Sequence, residues 1–255
     1  MTRPSALLAA CCLLFCTRIA AAPPPTVLYT LEYAPYVWQD AGHTRTEGIL
    51  SDLVVELMGR ANVPYAPPAI VPWARGMAKV ALTPNTCLFP TVRTPDRETM
   101  YDWIGPISKH HWALFARTED RMRIRDLDDI KEYAVGTMLG DFNVSAFSSR
   151  GIRLALVPDD RLNPRKLQLK RIDLWSTELL VGQRMLRDQG ITDIEPVFSF
   201  IEVDQYLACN RGMPKDDVTR LNETIKTMWS DGSINRIYSR YSAEPGLPKR
   251  LAIPK

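Results

Sequence analysis

Leu88-Phe89-Pro90-Thr91-Val92-Arg93-Thr94-Pro95-Asp96-Arg97-Glu98, followed by Tyr101-Asp102-Trp103-Ile104-Gly105-Pro106, is the stretch from which the rest of the chain is read. Residues 87–92 are apolar and β-forming, which predicts a buried strand. Upstream, residues 27–31 form a second short β-forming run that leads into the turn-like Tyr33-Ala34-Pro35-Tyr36. Leu50, Leu53, Val54, Leu57 and Met58 then fall at helical spacing, with Ser51 and Asp52 offering caps. Residues 71–80 start another helix with Pro72 at its entry, closed by Thr83-Pro84-Asn85.

Downstream the same grammar repeats. Residues 112–116, 133–137, 153–157, 172–175, 194–198 and 205–209 read as short strands. Helices are expected at 142–147, 164–169, 178–189, 215–229 and 234–241, with Asp231-Gly232 breaking the last two apart. Strands alternating with helices argue for an α/β protein built on mostly parallel sheets covered by helices.

The chain has 255 residues, 45% hydrophobic and 24% charged, enough for one large domain or two small lobes and too apolar for disorder. Residues 1–22 combine Arg3, an apolar run too short to span a bilayer, and Ala20, Ala21 and Ala22, the pattern of a cleaved secretory signal. The expected location is therefore periplasmic or secreted. Leu8-Ala9-Ala10-Cys11 also resembles a lipobox, though the apolar run before Cys11 is short for one. Removing this segment leaves 30 of the 32 Lys and Arg against 29 Asp and Glu, and the basic clusters are interleaved with acids, so no nucleic-acid partner is expected. Cys87 and Cys209 alone remain of the five cysteines, either paired or as two small buried apolar groups. His110 and His111 point to opposite faces of a strand and cannot share a metal; a surface or sheet-edge position is expected for them. No GxSxG, HExxH, GxxxxGK[ST] or GxGxxG motif occurs, so no cofactor is implied and the usual hydrolase and phosphoryl-transfer signatures are missing.

The strand, the Thr94-Pro95-Asp96-Arg97 run and the aromatic-to-Pro step at 101–106 resemble the family 3 extracellular solute-binding proteins. Other landmarks follow in order: Glu32-Tyr33-Ala34-Pro35-Tyr36, Gly48-Ile49-Leu50, Val135-Gly136 with Gly140, Arg171-Ile172-Asp173, and Asp231-Gly232 with Ile234. The resemblance spans nearly all of residues 26–241. It implies two lobes joined by two crossover strands, with residues 26–111 plus 204–241 in lobe 1 and 112–203 in lobe 2; the proline-rich residues 242–255 read as an extended surface tail. Cys87 and Cys209 would then share lobe 1, which allows a disulfide without blocking closure.

The resemblance also implies a ligand site. Arg97 matches the arginine that grips a ligand carboxylate, with a fork suited to that geometry. Tyr33 matches an aromatic wall, and Trp73 falls where a second apolar wall is expected. Glu178, five residues after Asp173, matches an ammonium-binding carboxylate, or else is a helix N-terminal acid. Trp175 is placed to line the cleft from lobe 2. Asp141 and Phe142 follow Gly140 where a small hydroxyl residue is usual, a departure that favours a cationic or ring-bearing ligand. The implied function is a monomeric, non-enzymatic solute-binding protein that passes a small-molecule ligand such as an amino acid to an ABC-type permease. A cyclohexadienyl-dehydratase-like enzyme and a sensor subunit for a receptor or kinase are the alternatives on the same scaffold.

Overall fold

The structure is a computed structural model that describes residues 24–248. The signal segment at 1–22, the Cys11 lipobox and the end of the tail lie outside the described residues. In chain order the elements are β1 (Val27–Thr30), β2 (Trp38–Gln39), β3 (Thr46–Glu47), α1 (Ile49–Arg60), β4 (Ala69–Ile70), α2 (Trp73–Leu82), β5 (Thr86–Val92) and β6 (Tyr101–Arg117). There follow β7 (Ala134–Met138), α3 (Asn143–Ser149), β8 (Arg153–Val157), α4 (Asn163–Gln168), β9 (Leu174–Glu178), α5 (Leu179–Asp188), β10 (Ile194–Asn210), α6 (Lys215–Ser230) and α7 (Ser233–Arg240).

Eight strands form one sheet in the order β4-β1-β5-β10-β6-β9-β7-β8. At one end β4, β1 and β5 run parallel, and at the other β9, β7 and β8 do. Each parallel set is the centre of a lobe. Between them β6 and β10 pair antiparallel from Tyr101 opposite Asn210 to Arg117 opposite Ile194. β10 hands its Gln205–Cys209 portion to β5, while β6 hands Trp112–Phe115 to β9. The intervening residues, around 108–111 and 201–204, pair only with each other. The boundaries expected at 111/112 and 203/204 lie within this ribbon.

Three of the expected short strands, 112–116, 194–198 and 205–209, are therefore portions of two 17-residue strands. Hydrophobic periodicity lost them because the ribbon is half-exposed and carries Lys109, His111, Glu202 and Asp204. There a cross-strand ion pair replaces burial, with Lys109 Nζ 2.9 Å from the Glu202 carboxylate, and His111 Nε2 lies 3.2 Å from the same carboxylate.

The first lobe packs α1 and α6 around the sheet. Every residue of β5 is buried, and α1 turns Ile49, Leu50, Leu53, Val54, Leu57 and Met58 inward. Ser51 and Asp52 do not cap α1. The Ser51 hydroxyl donates to the Thr46 carbonyl, and Asp52 accepts from the Tyr241 hydroxyl at 2.8 Å. Gly48 precedes the helix at φ 114°, where a Cβ would sit 2.4 Å from the Tyr36 carbonyl, so only glycine lets the Tyr33–Tyr36 loop approach. In the second lobe, alternation along β6 sends Ala113 and Phe115 to one face and Leu114 and Ala116 to the other, so both faces are core.

Cys87 and Cys209 are opposite partners in the β5–β10 pairing and form a disulfide with Cα atoms 4.0 Å apart. His110 is not at the surface: it is fully buried and stacked on Tyr36 with centroids 3.9 Å apart, whereas His111 is exposed. Burial holds the His110 pKa down at about 3, so it is neutral. The first residues of the tail are not free either. Glu244 accepts from Arg184 at 2.8 Å and from Arg187, both on α5, and Leu247 packs against the core. An acid facing two guanidiniums, next to an apolar anchor, docks a segment that proline content alone reads as extended.

The disulfide closes a loop of 122 residues. Cys87→Ser with Cys209→Ser should lower unfolding stability by about 2–4 kcal/mol, measured by urea denaturation under oxidising conditions. Equal stability of variant and parent would show that the bond adds nothing.

Candidate functional site

The cleft lies where the carboxyl ends of β1 and β8 and the loop after β7 meet the β6–β10 ribbon, the usual position for ligands in α/β sheets. It holds a cavity of about 280 Å³ that adjoins an inner pocket of about 30 Å³. This is at the small end of the roughly 300–1,000 Å³ that drug-sized ligands need. Tyr33, Trp73, Trp112, Met138 and Asp141 line both spaces.

Across the cleft, one carbonyl takes two donors from the other lobe. Gly140, in the turn after β7, has φ +80°, a conformation natural to glycine, and its oxygen is approached by two donors from the first lobe. Trp73 Nε1 donates at 3.0 Å and Arg97 Nη2 at 2.7 Å, while Arg97 Nη1 donates to the Val92 carbonyl at 3.4 Å. Arg97 is only 8% exposed, so its charge is held inside the closed cleft. Phe142, one turn further, packs its ring edge-on against Trp112 with centroids 4.8 Å apart.

The facing side is acidic. Asp141 is pushed up to about 7, chiefly by burial and then by the repulsion of Asp160. Asp160 is raised by burial as well, although it accepts from Thr177 Oγ1 at 2.6 Å, Asn163 Nδ2 at 2.8 Å and Trp175 Nε1 at 2.9 Å. Three donors fix its orientation. Asp159 and Arg161 pair beside it at 2.6 Å, and Glu32 lies on the opposite wall. Among the described residues no cluster of His, Cys, Asp and Glu could hold a metal ion, and no helix is long and apolar enough to cross a membrane.

Compared with known proteins, no family model and no curated protein matches the chain. Solved structures do match it. A histidine kinase sensor domain with similarity to periplasmic binding proteins aligns over 89% of this chain and 98% of its own, with TM-score 0.79 and 18% identity. An ancestral arginine-binding protein bound to arginine aligns over 85% and 97%, with TM-score 0.75 and 16% identity. The substrate-binding protein of an amino acid ABC transporter aligns over 86% and 99%, with TM-score 0.73 and 15% identity. The chain has the two-lobe periplasmic-binding-protein fold.

On this periplasmic-binding-protein fold, Tyr33, Trp73, Arg97 and Phe142 all come to the cleft. Two expected residues do not line it. Trp175 is fully buried behind the wall, tilted against Phe115, and reaches the cleft only through its hydrogen bond to Asp160. Glu178 is 1% exposed and turned to the back of the cleft, where it caps α5 by accepting from Val181 N at 2.8 Å and takes the Tyr36 hydroxyl at 3.4 Å. The helix-terminal reading of Glu178 is the one the geometry follows.

Asp160, Trp112 and Gln205 are cleft residues that the motif comparison overlooked. Asp159-Asp160 follow β8 almost directly, and an acid at the carboxyl end of a parallel strand is a signal that could have found Asp160. Trp112 and Gln205 sit where β6 and β10 enter and leave the ribbon, positions that become visible only once those strands are known to be continuous.

Burial, the largest influence, raises Glu178 to about 8. A carboxylate raised on folding contributes stability below its unfolded pKa that is lost as pH rises through the folded value. Asp141 has the same sign but finishes near pH 7, so the slope between pH 7 and 8.5 belongs mainly to Glu178. Thermal unfolding of Glu178→Gln across pH 4–9 should show that slope, at most about 1.4 kcal/mol per pH unit, flattened. An unchanged slope would place the titration elsewhere.

Proposed function

We propose that the protein captures a small polar solute in the cleft between its lobes and, in the exported compartment that the leader sequence implies, presents the closed form to an ABC-type permease. The lobes that move would be residues 26–111 with 204–241 against 112–203, turning on the β6–β10 ribbon. One observation carries the reading: Arg97 and Trp73 of one lobe meet the Gly140 carbonyl of the other beside a cavity lined by aromatic rings. Such contacts exist only when the lobes are together, and a ligand that fills the cavity adds to the closed state alone. No bond is made or broken in this mechanism.

A sensor role is the second reading, supported by the alignment with a sensor domain over nearly all of that domain's length. It shares the cleft and differs in the partner that reads closure.

A thermal-shift screen of the purified protein against amino acids, polyamines, organic acids and aromatic metabolites tests both. A ligand at 100 times its Kd should stabilise by about 2.7 kcal/mol. Tyr33→Ala and Trp73→Ala should each weaken that ligand tenfold or more in calorimetric titration. Chemical turnover of a binding compound would move the protein to the enzyme class, and a screen with no shift at all would remove the solute-binding reading.

A further inference from the structure

We infer that the cleft is built for an organic cation, with a guanidinium or ammonium head seated between Asp141 and Asp160 among the rings of Tyr33, Trp73 and Trp112, and a hydrogen-bond acceptor at its other end facing Gln205. The inference rests on the solute-binding reading and names the ligand class.

The charge of the lining comes first. Four carboxylates, Glu32, Asp141, Asp159 and Asp160, face the cavities against two guanidiniums, Arg97 and Arg161. Both guanidiniums are already engaged. Arg161 lies on Asp159, with Nε 3.0 Å from each carboxylate oxygen. Arg97 donates to the Val92 and Gly140 carbonyls. Asp141 and Asp160 line the same cavity; burial and then the repulsion of Asp160 raise Asp141 despite the partial offset from Arg97, and burial raises Asp160. A cationic head would relieve that repulsion, and aromatic side chains favour the same occupant through cation–π attraction.

A second observation is independent of the acids. Gln205 is 1% exposed and lines the smaller pocket, and its Nε2 has no hydrogen-bond partner, whereas the Trp112 indole beside it is turned to Asp141. Buried donors are almost always satisfied, because leaving one unpaired forfeits its hydration without return. The orphan Gln205 donor at this end of the cleft calls for an acceptor atom on the ligand. The occupant is thus bipolar in a fixed direction, with its acceptor end inward and its cationic end at Asp141 and Asp160. Glu178 takes no part in holding it, because that side chain caps α5 behind the cleft.

Calorimetric titration of the full-length purified protein with arginine, agmatine, putrescine, choline, glutamine and glutamate tests this. Arginine and agmatine share a guanidinium head, and only arginine carries a carboxylate. At least one cationic probe should bind and glutamate should not. Asp141→Asn and Asp160→Asn should each weaken the cation tenfold or more, with circular dichroism confirming that the variants fold. If arginine binds, Gln205→Met should reduce its advantage over agmatine. Binding of glutamine or glutamate with no cation binding would overturn the cation assignment and leave the solute-binding reading intact. Cation binding that is indifferent to both Asp substitutions would overturn the placement of the head. Absence of binding by every probe, together with an empty metabolite screen, would overturn both readings.

Discussion

The pairing of β6 with β10 is the interaction on which everything else in the molecule depends. Each strand begins in one lobe and ends in the other, so the same ladder that completes both sheets also holds them side by side. The ladder is satisfied by its own backbone in the middle, where no third strand joins it. Irregularities in β10 near Phe198, Ile201 and Leu207 loosen its register at the crossing. A two-stranded ribbon twists more readily than a sheet flanked on both sides. Rigid parallel strands at the two ends and a compliant ribbon between them are what a cleft needs in order to open without unfolding either wall.

Within that frame the cleft is defined by polar groups that burial leaves under strain. A single backbone oxygen, that of Gly140, receives both lobe-1 donors, so closure costs the arginine much of its capacity for other partners. The carboxylates of Asp141 and Asp160 lie buried in the same cavity, and burial raises the proton affinity of both. Buried carboxylates oppose folding even when hydrogen-bonded, so packing alone does not account for them. The Glu178–Tyr36–His110 stack behind the cleft is a separate group: it joins α5, the first loop and the ribbon through one hydrogen bond and one ring contact.

Much of this was legible in the sequence, and the limits have physical causes. Helices such as α1 and α6 and the buried strand β5 announce themselves because burial imposes periodicity, and the order of motifs led to the two-lobe fold. The long strands did not show, since a half-exposed ribbon has no hydrophobic pattern to read. Arg97, Tyr33, Trp73 and Phe142 were reached by local motifs that sit on loops and helix starts close to the cleft. Trp175 and Glu178 were misplaced for a different reason. Strand parity says which face a residue takes, but not whether that face is the cavity or the layer behind it. Asp160 became a cleft residue through tertiary donors, Trp175, Thr177 and Asn163, that lie up to 17 positions away in sequence.

The docking of Glu244 on Arg184 and Arg187 has a consequence for handling the molecule. The segment leaves α7, which packs on α1 and α6, and Glu244 lies on α5, so residues 241–244 link helices on the two sides of the ribbon. A fluorophore attached at Glu244 would sit on this link itself and bias any opening of the cleft it was meant to report. Glu244 is only 14% exposed in these pairs, which screens them less from added salt than fully exposed pairs, so the link would weaken only in part with the ionic strength of the buffer. A probe placed on the surface of α6 or α3 would leave it undisturbed.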